Sequence, residues 1–407
     1  MKIFSLTIML AVFGFFNAVA QEEMPKITII HAGTLLAVAG ENTLSEQSII
    51  IEDGKVTDVV ASYLDEMGDA EVTVIDLSDK FVMAGMMDMH VHLASSGGNA
   101  ADHALAGVKN GYVTLMAGFT TVRDLGATDD TIFKLRKAIN DGDVIGPRIY
   151  SAGTIIGVGS RGNGVDCNGV ESCRRTTRDM IIGGADWIKI YSSCSGTQPC
   201  AHKDGSPMFF DDEMEAITQV AKKYNIPVAA HSHPTASGIQ VLNYGVKSIE
   251  HGTHLNTASM ERMKKDHVYY IPTFSVMDRL DRLVNDPATD PARAKRMQGT
   301  LDNNPRQIMK AYEMGVPIAV GTDAGVAPHG KNYREVEKYV EIGILNNDAL
   351  KMATVNTADL LGKSDMLGSI EKGKYADIIA VTGNPLVEIT DIENIVFVMK
   401  EGRVYKD

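Results

Sequence analysis

Phe81-Val82-Met83-Ala84-Gly85-Met86-Met87-Asp88-Met89-His90-Val91-His92 is a mostly apolar run that ends in two histidines one residue apart. A short run of this kind reads as a buried strand, and strand alternation sends His90 and His92 to the same side. Seven further runs share its texture: Thr120 to Leu125, Arg148 to Gly153, Asp186 to Tyr191, Pro227 to His233, Ser248 to Gly252, Val268 to Phe274 and Pro317 to Asp323. Segments with helical spacing of apolar residues lie between and after them, such as Asp211 to Tyr224 and Asp348 to Leu361, the latter stopped by Gly362. Strands alternating with helices imply an α/β fold, and eight of them favour a (β/α)8 TIM barrel over residues 81–362. A doubly wound sheet is the alternative. The charged stretch Met277 to Arg306 after the seventh strand reads as surface helix, with a lid as the second reading.

Outside this region the pattern is β-rich at both ends. Lys26 to Ile30, Gln47 to Ile51, Lys55 to Val60 and Val72 to Ile75 read as strands, with Asp53-Gly54 as a hairpin turn. Asp377 to Val381, Ile395 to Met399 and Arg403 to Tyr405 repeat the texture. Residues 21–80 and 363–407 are therefore expected to build one small β-sandwich domain from the two chain ends.

Residues 1–20 carry Lys2, an uncharged and mostly apolar run from Ile3 to Phe16, and the small-x-small pattern Ala18-Val19-Ala20. This reads as a secretory signal peptide cleaved near Ala20, too short in its apolar part to serve as a stable membrane anchor. A secreted or periplasmic protein is expected. In such a compartment Cys167, Cys173, Cys194 and Cys200 are expected as disulfides. The local pairing, Cys167 with Cys173 and Cys194 with Cys200, is favoured among the three connectivities; a structural zinc site is the alternative.

The 407 residues are 44% hydrophobic and 22% charged, the composition of a globular protein, and the net charge of −13 argues against nucleic acid as a partner. Gly157-Val158-Gly159-Ser160-Arg161-Gly162 matches a dinucleotide fingerprint, yet the turn-rich residues after it cannot open the helix that motif needs. No P-loop, H-E-x-x-H or G-x-S-x-G motif is present.

Histidine placement carries the chemistry. Seven of the eleven, His90, His92, His231, His233, His251, His254 and His329, fall at or just after the ends of strand candidates, where barrel enzymes build their sites. Imidazole suits zinc and similar divalent ions. Asp323 ends the eighth strand. Lys189 lies inside the apolar Trp187-Ile188-Lys189-Ile190-Tyr191, where a buried ammonium is costly unless paired, and an outward-facing side chain is the plain alternative.

The ordered set His-x-His, Lys, His, His, Asp resembles the amidohydrolase superfamily with a binuclear metal centre. Gly118-Phe119-Thr120-Thr121-Val122-Arg123-Asp124, Gly321-Thr322-Asp323-Ala324-Gly325 and Gly368 to Asp377 are also similar to its motifs. Within it, His231-Ser232-His233 and Ala327-Pro328-His329-Gly330 are similar to the prolidase-like dipeptidase and carboxypeptidase branch, which is imidazolonepropionase-like and includes enzymes cleaving ochratoxin-type N-acyl amino acids. The resemblance implies two divalent ions, with zinc expected. His90, His92 and Asp323 would hold one and His231 and His251 the other, with Lys189 bridging as a carbamate derived from carbon dioxide. It further implies attack of a metal-bridging hydroxide on an amide carbonyl, with Asp323 as the catalytic acid and base.

Tyr191, His233 and His329 are candidate substrate contacts, with packing or loop hydrogen bonding as the alternative for each. Where several relatives carry Gly-Gly-His, this chain has Gly157 to Gly164, so Arg161 is the candidate for a substrate carboxylate. The expected activity is hydrolysis of dipeptides or N-acyl amino acids. A lactone or cyclic-amide hydrolase and a non-catalytic periplasmic binding protein are the alternatives. The expected partner is a small-molecule substrate, and a homo-oligomer is left open.

Overall fold

The two ends of the chain meet in one sheet. A computed structural model describes residues 26–95, 97–158, 164–193 and 207–407. The expected signal peptide, Arg161, Cys194 and Cys200 lie outside the described residues. Among those residues the sheet has seven strands, in the order Arg403–Lys406, Ile395–Lys400, Ile378–Val381, Glu71–Ala84, Lys26–Leu36, Leu44–Glu52 and Lys55–Ala61. Lys26–Leu36 and Glu71–Ala84 run parallel; every other neighbouring pair is antiparallel. The expected hairpin turn is present, with Asp53 at φ 49° and Gly54 at φ 76°, as a two-residue turn between twisted strands requires. A side chain at Gly54 would also meet the Glu401 carbonyl oxygen at 2.7 Å. Ile30, Leu35, Ile49, Val82, Ile378 and Phe397 pack as the core of this sheet.

The barrel follows from parallel pairing around a ring. Met86–Val91, Phe119–Asp124 and Arg148–Ser151 form one arc. Ile188–Tyr191, Val228–Ser232, Ser248–His251 and Tyr269–Ile271 form another. Asp186 N donates to Ser151 O at 2.8 Å and joins the arcs on one side. The eighth position is the segment 317–324, which bridges Tyr270 through Ile318 and Val91 through Ala324 and closes the ring. Asp323 N donates to His90 O at 2.7 Å within that closure.

Two expectations need correction in detail. Phe81 to His92 is not one strand: Phe81–Ala84 belong to the terminal sheet, paired with Ile378–Val381, and the chain enters the barrel at Met86. The change occurs at Gly85, whose N–H bonds Asp377 O and where a Cβ would meet Thr120 Oγ1 at 2.3 Å. Continuous apolarity hides such a change, because both sheets bury the same residue types. Asp348 to Leu361 is two helices, Asn346–Met352 and Val355–Leu361. Around the break, Met352 O and Ala353 O accept from Val320 N and Met87 N of barrel strands. The charged stretch after the seventh strand forms Met277–Val284 and Pro291–Met314. The longer helix is pinned to the loop after the His251 strand, with Asn303 Nδ2 donating to Thr253 O at 2.8 Å and Gln307 Nε2 to Leu255 O at 2.5 Å.

Arg148 joins the two layers, its guanidinium reaching Asp377 at 2.6 Å and Glu401 at 2.6 Å, with its ring-facing side over Tyr375. Cys167 and Cys173, both fully buried, form a disulfide. No helix among the described residues is long and apolar enough to cross a membrane.

Candidate metal centre

His90, His92 and Asp323 each offer a ligand atom within 4.8 Å of the others, and so do His231, His233 and His251. The strands deliver them by alternation. His90 comes from one strand and His92 from the residue just past its end, His231 and His251 come from the next two strands beyond that of Lys189, and Asp323 comes from the closing segment. His90 and His251 rings lie 5.1 Å apart, so the two groups adjoin. His251 at φ 67° and Asp323 at φ 56° are held in left-handed backbone, which non-glycine residues seldom adopt outside constrained sites.

Ring orientation is fixed from behind. His92 Nδ1 is 2.7 Å from Gly126 O, an atom that only accepts, so Nδ1 carries a proton, and Nε2 lies 3.1 Å from Asp323 Oδ1. His90 Nδ1 is 2.9 Å from Glu250 Oε2. Glu250 Oε1 in turn takes Arg123 Nη2 at 3.0 Å, and Arg123 lies over the Trp187 ring at 4.4 Å. Asp88 accepts from the N–H and hydroxyl of Thr322 and from Asn332, and so pins the turn that carries Asp323. Sequence reasoning assigned no role to Glu250, Arg123, Asp88 or Asn332. The one signal for Glu250, Arg123 and Asp88 was charge within apolar strands, which names no partner, and Asn332 in its turn gave none.

Lys189 is 1% exposed, and its Nζ has no hydrogen-bond partner among the described residues. Burial lowers it to about 8, against the pull of Glu250. Burial, then the Lys189 charge, lowers His90 to about 4. Burial opposes protonation of His92, but the adjoining Asp323 carboxylate outweighs it and raises the group. Burial would raise Asp323, yet the hydrogen bond from His92 and the charges of His90, His92 and Lys189 hold it low. Imidazoles beside a carboxylate and a buried amine form a donor set suited to divalent cations.

The residues 81–405 match the amidohydrolase family. The chain belongs to the amidohydrolase family. Among similar amidohydrolase structures, a crystallised Xaa-Pro dipeptidase with bound methionine superposes with a TM-score of 0.86 at 34% identity, covering 94% of this chain and all of that one. The ochratoxinase of Aspergillus niger is 28% identical over 438 residues, covering 95% of this chain and 88% of the relative. A prolidase-type structure from Bifidobacterium longum superposes at 0.84 with 25% identity, covering 94% and 95%. This amidohydrolase is thus a hydrolytic enzyme of carbon–nitrogen bonds on the prolidase-like branch, built on the expected barrel with a terminal sheet from both chain ends.

Of the expected site residues, His90, His92, Lys189, His231, His251 and Asp323 come together in this amidohydrolase. His233 joins His231 and His251 as a third donor rather than standing apart from them. The half-buried Tyr191 ring lies 5.0 Å from His231. His329 sits behind the first group, with Nε2 3.3 Å from His92 O, and burial lowers it to about 4.

Proposed function

We propose that this enzyme hydrolyses the amide bond of dipeptides or N-acyl amino acids with two divalent cations, zinc being the expected metal, in a secreted or periplasmic setting. The observation that carries the reading is the pair of donor groups, His90-His92-Asp323 and His231-His233-His251, gathered in one barrel with the unpaired Lys189. His90, His92 and Asp323 would hold one cation and His231 and His251 the other, with His233 contacting substrate from beside them. Bound there, two divalent cations supply an acidified water and a polarised carbonyl.

Lys189 meets the requirements of a carbamate. Its lowered basicity leaves free amine near neutral pH; that amine would add to carbon dioxide and lose one proton, and the resulting carbamate anion would offer oxygen donors to the cations. Asp323, kept ionised, accepts a proton from the attacking water at its carboxylate and returns it to the leaving nitrogen. Tyr191 orients the substrate carbonyl beside His231, and His329 supports the loop that carries His92 while bordering the substrate. Arg161 is assigned to the substrate carboxylate from sequence alone. Residues 81–362 are taken as the catalytic unit and 21–80 with 363–407 as its companion domain.

Turnover of a panel of dipeptides, N-acyl amino acids, lactones and cyclic amides by zinc-loaded protein tests the proposal. Release of free amino acids from the first two classes is expected. Turnover confined to lactones or cyclic amides would replace this reading with the alternative chemistry, and no turnover with both metals bound would favour a binding protein.

A further inference from the structure

We infer that Thr273, locked by Glu335, is the positioning residue that sets the tautomer and direction of His251 for metal binding. The inference rests on the reading of His251 as a ligand. His251 Nδ1 lies 2.8 Å from Thr273 Oγ1, and Thr273 Oγ1 donates its own hydrogen to Pro272 O at 2.7 Å. A hydroxyl has one hydrogen to give. With that hydrogen spent on a carbonyl, the oxygen can only accept from His251. Nδ1 therefore carries the imidazole proton, and the Nε2 lone pair is left for the centre shared with His231 and His233.

The backbone at Thr273 is unusual. It is 2% exposed and sits at φ 52° and ψ 48°, a left-handed conformation that β-branched residues rarely adopt. Glycine would relieve the backbone but carries no hydroxyl, so the threonine oxygen is the feature retained at the expense of strain. The following turn is held by one buried carboxyl. Glu335 Oε1 accepts Phe274 N at 2.8 Å, and Oε2 accepts Ser275 N at 2.6 Å and Ser275 Oγ at 2.7 Å. Glu335 is fully buried on the helix Arg334–Glu341, outside the barrel strands. Three hydrogen bonds from a distant helix thus keep a strained residue behind a ligand imidazole, an arrangement that tunes ligand basicity and geometry.

Thr273→Val keeps the shape and removes the oxygen, Thr273→Ser keeps the oxygen, and Glu335→Gln loosens the clamp. Zinc retention against a chelator series is read on each folded variant, beside His251→Ala as the reference for losing the ligand. The expected result is a loss of zinc affinity of about 10- to 100-fold for one ion in Thr273→Val and in Glu335→Gln, with Thr273→Ser near the parent. Unchanged affinity in Thr273→Val, with His251→Ala losing zinc, overturns the inference alone. Unchanged zinc in His251→Ala overturns the ligand reading beneath it. Should Thr273→Val not fold, imidazole nitrogen NMR of the zinc-loaded parent decides, with His251 assigned by its absence in His251→Ala. A proton on Nδ1 supports the inference and a proton on Nε2 overturns it.

Discussion

Glu250 Oε2 stands 2.9 Å from His90 Nδ1 while its other oxygen takes Arg123, all three side chains being buried. Burial alone would raise the Glu250 carboxyl; the Arg123 and Lys189 charges and the His90 hydrogen bond overcome it and hold the group at about 2. Removing one member of a buried pair leaves an uncompensated charge. Glu250→Ala should therefore destabilise the fold by about 3–5 kcal/mol. It should also weaken zinc binding, because His90 loses the acceptor that fixes its proton on Nδ1. Denaturant unfolding with and without zinc checks both effects, and wild-type stability in the variant would remove Glu250 from the account.

Elemental analysis of zinc-replete protein prepared with bicarbonate should give up to two ions per chain. Lys189→Ala should lose metal and activity together. A full metal count in that variant would leave Lys189 as packing only, and a metal-free folded parent under the same conditions would end the binuclear reading.

Asp323→Asn keeps the shape and removes the base, and turnover should slow by about 10² or more while KM changes much less. Asparagine is also the weaker ligand, so zinc must be measured on the same sample. A variant with both ions and near-parental turnover would take Asp323 out of the proton transfers.

Arg148→Met should lower the unfolding midpoint without changing turnover per folded molecule, since Arg148 ties the Asp377 and Glu401 carboxylates to the barrel far from the centre. The buried Asp377 carboxylate would then be left beside the exposed Glu401 carboxylate without a cation. Thermal unfolding monitored beside a rate assay at low temperature checks this, and equal midpoints would show the bridge to be energetically neutral.

Peptide mapping without reduction should recover Cys167 joined to Cys173, the linkage present among the described residues. A second linkage between Cys194 and Cys200 is expected from sequence, and two free thiols there in exported protein would contradict it.

The gathering of the expected site residues was legible because a two-residue period sends His90 and His92 to one side, and because His231 and His251 lie at the ends of neighbouring strands and Asp323 in the segment that closes the ring. Those rules are local. Gly85 was not legible as a boundary, since the sheet on either side of it is equally apolar. Nothing local reveals that the His233 ring stacks on His251 at 5.0 Å. Glu250 with Arg123, and Glu335 with the turn after Thr273, are pairings between elements distant in the chain, and only the closed barrel brings them together. The interruption at Ala353 and Thr354 was hidden for the same reason: its cause is the barrel backbone that it caps.

The strand Glu71–Ala84 lies between Lys26–Leu36 and Ile378–Val381 in the sheet order. One of its two neighbours is thus available early in synthesis and the other only when the last few dozen residues have been added. Until then the Phe81–Ala84 backbone presents an unpaired edge, the kind of surface that recruits foreign strands. That edge can therefore be sealed only once Ile378–Val381 has been made and freed, and a chain truncated ahead of Ile378 would carry a permanently open β-edge beside its barrel entrance.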